Sequence, residues 1–131
     1  MARIIFPNLA VADLEKAKTF YSGLGWTVNP QFTDETASAI VVSPEIVLML
    51  LSPAFAAQNG LTQLAEPRMS LAFSADSREE VDSFFEKAVA GGAQPRGDAQ
   101  DLGFMYSRTV VDPDGHILDW VWMNPANVEP F

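Results

Sequence analysis

The chain has 131 residues, 48% of them hydrophobic and 19% charged, which suits one globular domain with a real core and lies far from disordered compositions. Its 17 acidic against 8 basic side chains leave a net charge of −9, which repels phosphate backbones and anionic lipid surfaces, so no nucleic acid and no membrane is expected as a partner. With no cysteine, disulfides, thiolate nucleophiles and cysteine-held zinc or iron–sulfur groups are excluded, and metal chemistry would have to use His, Asp, Glu or water.

The start of the sequence shows no basic segment followed by an apolar run, and no window approaches the ~18 apolar residues of a membrane span, so a cytoplasmic protein is expected. Arg3 to Val11 is mostly apolar with weak alternation, as in a strand covered on one face by a helix. Asp13 caps a helix whose apolar face is Leu14, Ala17, Phe20, Tyr21 and Leu24, with Gly23 and Gly25 ending it in left-handed conformations. Trp26 begins the next strand, and 37–42 and 46–51 read as a hairpin around Ser43-Pro44-Glu45, completing a βαβββ unit over about 1–52.

The stretch 53–67 has little periodicity and reads as a connection with room for a short helix or a lid. A second opening strand follows at 69–74. Ser77-Arg78-Glu79-Glu80 has the spacing of a capping box, and the helix it opens runs to about Ala90 with Val81, Phe84, Phe85, Ala88 and Val89 on its apolar face. Gly91-Gly92 stops it. Strands at 104–111 and 116–123 flank Asp112-Pro113-Asp114-Gly115, a tight turn with a fixed φ at proline and a positive φ at glycine. The second unit, about 68–125, thus repeats the order of the first, and Thr19-Phe20-Tyr21 is echoed by Ser83-Phe84-Phe85 at an offset of roughly 63 residues.

Leu9-Ala-Val-Ala-Asp-Leu14 running into Phe20-Tyr21 and Leu24-Gly25-Trp26, together with the Asp112-Pro-Asp-Gly115 turn, resembles the vicinal oxygen chelate superfamily of glyoxalase, bleomycin-resistance and extradiol dioxygenase proteins. Phe104 to Arg108 and Trp120 to Asn124 are most similar to a bacterial subgroup called predicted lactoylglutathione lyases. The resemblance implies an α+β fold of tandem βαβββ modules forming two curved mixed sheets around a concave cup, and a homodimer. It also implies a divalent metal at four positions, which fall here on Phe6, about Met49, Ser70 and Asp119. Only Asp119 is a good ligand for a hard cation, so no cofactor is expected, with a divalent metal kept as the alternative.

Strand parity says which residues line the cup that the resemblance implies, once Leu9 and Val11 are taken to cover the helix side. Phe6, Asn8 and Ala10 face one way, with Val47, Met49 and Leu51, then Ser70, Ala72 and Ser74, then Ile117, Asp119, Val121 and Met123. Such a lining suits a small, partly apolar organic molecule. Asp119 among apolar neighbours loses solvation unless a donor pairs with it, with Arg108, Ser70 and Asn8 as candidate donors, and is the candidate acid or base. Tyr106 and Arg108 are candidates to offer a hydroxyl and a cation to the ligand. His116, the one histidine, is either a proton-transfer group or part of the turn, and parity sets it on the other face from Asp119. Leu118, Trp120 and Trp122 share a face and are expected under the helix. Two functions stay open: a metal-free binder of a small molecule held by Phe6, Asn8, Met49, Ser70, Tyr106, Arg108 and Asp119, or a metal-dependent lyase or isomerase, glyoxalase-like, using Asp119.

Overall fold

The computed structural model describes residues 3–61, 67 and 69–129; within the expected connection, residues 62–66 lie outside the described ones. The chain divides into two compact units, Met1–Ala65 and Glu66–Phe131.

In the first unit, β1 (Asn8–Ala10), α1 (Leu14–Gly23), β2 (Thr27–Asn29), β3 (Ala37–Ser43) and β4 (Ile46–Leu51) form a βαβββ module. The sheet order is β1-β4-β3-β2, with β1 parallel to β4 and the other pairs antiparallel. Asp13 caps α1 by accepting from the Lys16 amide at 3.0 Å. Gly23 stays helical, and Gly25 alone takes the left-handed conformation, at φ 98°. One left-handed residue suffices to stop a helix, so the expectation for Gly23 is corrected.

Packing rather than propensity holds α1, a helix of 10 residues, since helices this short are marginal alone in water. It buries Ala17, Phe20 and Tyr21 on the sheet face that carries Leu9, Ile40, Leu48 and Leu50, all at 5% exposure or less. Tyr21 stacks on Trp26 with ring centroids 6.2 Å apart. The opposite face is only partly covered. A short α2 (Pro53–Gln58), capped by Ser52 and opened by a proline in its first turn, sets Ala56 and Phe55 against Ala37, Leu51, Ala10 and Met49. The helix anticipated as an option in 53–67 is therefore present, and it roofs one end of that face.

The second unit repeats the module. Its elements are β5 (Ser70–Ser74), α3 (Arg78–Ala90), β6 (Gln94–Pro95), β7 (Gln100–Asp101), β8 (Met105–Val111) and β9 (Ile117–Met123). The order β5-β9-β8-β6, with β5 parallel to β9 and β7 also pairing with β8, matches the first sheet position for position. Ser77 caps α3 by accepting from the Glu80 amide at 3.0 Å, while the Glu80 carboxylate accepts from the Asp76 amide, one residue earlier than in an ideal capping box. α3 buries Val81, Phe85 and Ala88 over Val110, Leu118 and the fully buried Trp120, on which Phe84 stacks with ring centroids 5.5 Å apart. In the turn before β9, the buried Asp112 carboxylate accepts from the Asp114 and His116 amides, both at 2.8 Å, and Gly115 takes φ 92°.

Candidate functional site

On the free face of the first sheet, strand pairing lines up Asn8, Met49, Ala39 and Asn29 in one row. The main chain extends this pairing towards the N-terminus. The Ile5 amide donates to Glu45 O at 2.9 Å, Val47 donates to Ile5 O at 3.0 Å and Met49 donates to Pro7 O at 2.8 Å. Ile4 and Phe6 thereby stand beside Val47 and Met49.

At the other edge, Asn29 and Pro30 turn the chain into a 3-10 turn over Pro30–Phe32. The Asn29 side-chain oxygen accepts from the Gln31 amide at 3.0 Å. Thr33 ties this turn down, its hydroxyl donating to Asn29 O at 2.8 Å and accepting from the Ala39 amide at 3.1 Å. The turn raises Phe32 as a wall opposite Phe6, and the small Ala39 leaves room between the walls.

The result is a pocket of about 530 Å³ lined by Ile4, Phe6, Asn29, Phe32, Ala39, Val47 and Met49. Its size falls within the range of small-molecule sites, roughly 300–1,000 Å³, and its chemistry is that of such sites, apolar with a single polar group. The aromatic walls are not core residues: Phe6 is 51% exposed and Phe32 61%.

Of the sequence-assigned residues, Phe6, Val47 and Met49 line this pocket. Asn8 shares their row but turns aside, its amide donating to Phe6 O at 2.7 Å, so it braces the wall rather than lining the pocket. Ile4, Asn29, Phe32 and Ala39 were not singled out from the sequence. The parity argument extended along 37–42 reaches Ala39, whereas Asn29-Pro30 carries only a turn signal, and a wall made by a turn leaves no periodic trace.

In the second unit, Ala72, Asp119 and Thr109 form a row across the sheet on the face away from α3, and the Thr109 hydroxyl donates to the Asp119 carboxylate. Asp119 thus has its donor, though not one of the expected ones. Ser70 and Ser74 are on the same face and exposed.

Tyr106 and Arg108 stay together, as their spacing requires, but on the helix side with Trp120 and Trp122. Since Thr109 is the residue opposite Asp119, its neighbours at odd spacing must point the other way, and the expectation that Tyr106 and Arg108 join Asp119 around a ligand is corrected. Both are occupied by α3. The Tyr106 hydroxyl donates to Asp82 Oδ1 at 2.6 Å, and Arg108 lies 3.4 Å from the same oxygen with its guanidinium 3.5 Å from the centre of the Phe85 ring. The hydrogen bond to Asp82, with burial behind it, holds the Tyr106 phenol above its ordinary value. His116 is held in the turn by its main chain, which bonds Asp112 in both directions.

The repeated module sets this chain beside known proteins. The family described as bleomycin resistance protein-like N-terminal matches residues 3–43. A glyoxalase-related enzyme from Fulvimarina pelagi is 25% identical, with a TM-score of 0.76 over 93% of this chain and 88% of that one. The family model over the first unit and the shared fold both agree with the resemblance to glyoxalase, bleomycin-resistance and dioxygenase proteins.

Two further solved structures share the fold at lower identity. A glyoxalase/bleomycin resistance protein/dioxygenase family enzyme from Burkholderia phytofirmans PsJN is 17% identical, with a TM-score of 0.79 over 93% of this chain and 99% of that one. A lactoylglutathione lyase from Agrobacterium tumefaciens is 18% identical, with a TM-score of 0.67 over 93% of this chain and 94% of that one. Among curated proteins none matches the chain.

The chain's residues at the four implied positions do not fit the metal the resemblance implies. In the first unit the two implied positions are Phe6 and Met49, which line the apolar pocket and have no oxygen or imidazole to offer. In the second they are Ser70 and Asp119, and one Asp119 oxygen is taken by Thr109. Among the described residues, no group of three or more His, Asp or Glu side chains is placed to hold a metal ion. Among the same residues, no helix is long and apolar enough to cross a membrane.

Proposed function

We propose that the chain binds a small, largely apolar organic molecule in the pocket of its first unit, and does so without the superfamily's metal. One observation carries this reading: Phe6 and Met49, the two positions of that unit where metal ligands are implied, are instead walls of a single apolar pocket of about 530 Å³. A homodimer, which rests on the resemblance, and a cytoplasmic location, which rests on the sequence's lack of a membrane-spanning apolar run, belong to the same reading; light scattering would check the mass.

A second reading keeps Asp119 as the acid or base of a lyase or isomerase of the lactoylglutathione lyase type. What favours it is the half-buried carboxylate held from one side by Thr109, on a face where Ser70 and Ala72 are exposed.

The test is a fluorescence titration of chelator-treated protein with phenylnaphthylamine, a neutral apolar probe. Saturable binding is expected, weakened about tenfold or more in Val47→Lys, which would put an ammonium group against the apolar floor. Equal affinity in parent and variant would remove the pocket from the account. Turnover of a hemithioacetal that is lost in Asp119→Asn would move the second reading ahead of the first.

A further inference from the structure

Asn29 is the one polar residue among the apolar side chains that line the pocket, and its hydrogen bonding fixes which end of its amide the pocket can use. The carboxamide oxygen caps the 3-10 turn by accepting from the Gln31 amide at 3.0 Å. That assigns the oxygen to the turn and leaves the NH2 group, with two donors, as the polar group available to a ligand. Asn29 sits opposite Ala39 in the sheet register, in the row of residues that lines the pocket.

We infer that the pocket takes an uncharged molecule with an apolar, ring-sized body and a carbonyl-type acceptor directed at the Asn29 amide. The inference rests on the proposed function and narrows it to a ligand class. No lining residue is ionisable, so a charged ligand would shed its water with no counter-charge to meet it. The net charge of −9 adds repulsion against anions. A ligand offering only a donor would have to share the one side-chain oxygen of the lining with the Gln31 amide. An acceptor, by contrast, satisfies the one amide of a lining otherwise made of Ile4, Phe6, Phe32, Ala39, Val47 and Met49.

Two neutral probes of similar size separate this inference from the pocket reading beneath it. Prodan carries a carbonyl acceptor, whereas phenylnaphthylamine carries an amine donor and no carbonyl. In Asn29→Asp the carboxylate still accepts from Gln31 but has no proton to donate. In Asn29→Ser a hydroxyl keeps a turn-capping acceptor without adding charge, on a side chain too short to replace the amide. Prodan affinity is expected to fall about five- to tenfold in Asn29→Ser, the range set by loss of one uncharged hydrogen bond, and in both variants to fall clearly more than phenylnaphthylamine affinity, which the new carboxylate of Asn29→Asp also weakens. Equal losses for the two probes, or an unchanged Prodan affinity, would overturn the acceptor assignment and leave the apolar pocket standing. Failure of phenylnaphthylamine to bind the parent protein would overturn both.

Discussion

At the scale of single residues, the face away from solvent holds a testable imperfection. Ser38 is wholly buried, opposite Leu50 on the side of the sheet that α1 covers, and its hydroxyl has no hydrogen-bond partner among the described residues. A buried hydroxyl left unpaired costs about 1–3 kcal/mol against one that is hydrated, so Ser38→Ala is expected to raise the unfolding free energy by about 1 kcal/mol in urea titrations. A loss of stability would show that the hydroxyl is bonded. Asp112 is the opposite case, buried and fully used, since its carboxylate accepts two amides of the turn. Asp112→Ala is expected to cost about 2 kcal/mol, the price of leaving those amides without a charged acceptor. Parity read from the sequence placed Phe6 and Met49 on the right face because it needs only a period of two. It did not reach Asn29, whose side chain enters the pocket through a turn, nor Thr109 as the donor to Asp119, because pairing register between strands is not written in either strand alone.

At the scale of elements, the helices and long strands were legible from capping residues and apolar spacing, as Asp13 and Ser77 show. β6 and β7 were not, being two residues each and too short to show any period. Side chains rather than sequence pattern hold β7. Arg78 at the start of α3 meets the Asp101 carboxylate at 2.5 and 3.0 Å, donates to Gly103 O at 2.9 Å, and lies over the rings of Tyr106 and Trp122 at 5.3 and 5.1 Å.

The hydrogen bond from Arg78, followed by that from the Gly103 amide, holds the Asp101 carboxyl below its ordinary value. Asp34, which accepts from the Thr36 hydroxyl and from the Thr36 and Ala37 amides, is lowered as well. A carboxyl lowered in the folded state stabilises the fold above its unfolded value, near 3.8 for both groups, and that contribution is lost as pH falls through the folded value. Asp101→Asn should therefore lower stability at pH 7 and narrow the gap between unfolding midpoints measured at pH 7 and at pH 3. Because both groups are exposed, the narrowing should be small and should shrink further in high salt. An unchanged gap at low salt would show that the Arg78 pair does not hold β7.

At the scale of the whole chain, two modules of one topology carry opposite chemistry on equivalent faces. The first is apolar around Val47 and Met49, and the second presents Ser70, Ser74, Ser107, Thr109 and Asp119. The repeat itself was legible in the echo of Phe20-Tyr21 by Phe84-Phe85, since both pairs fill the same helix-to-sheet packing position. The partition of chemistry was only half legible, because residues that face the same way need not share a pocket. The measurement that bears most directly on the central claim is the phenylnaphthylamine titration of chelator-treated protein, repeated after addition of manganese or nickel. A metal-free apolar site predicts affinities that agree within about twofold. Binding that appears only with the metal, or that the metal abolishes, would contradict the account.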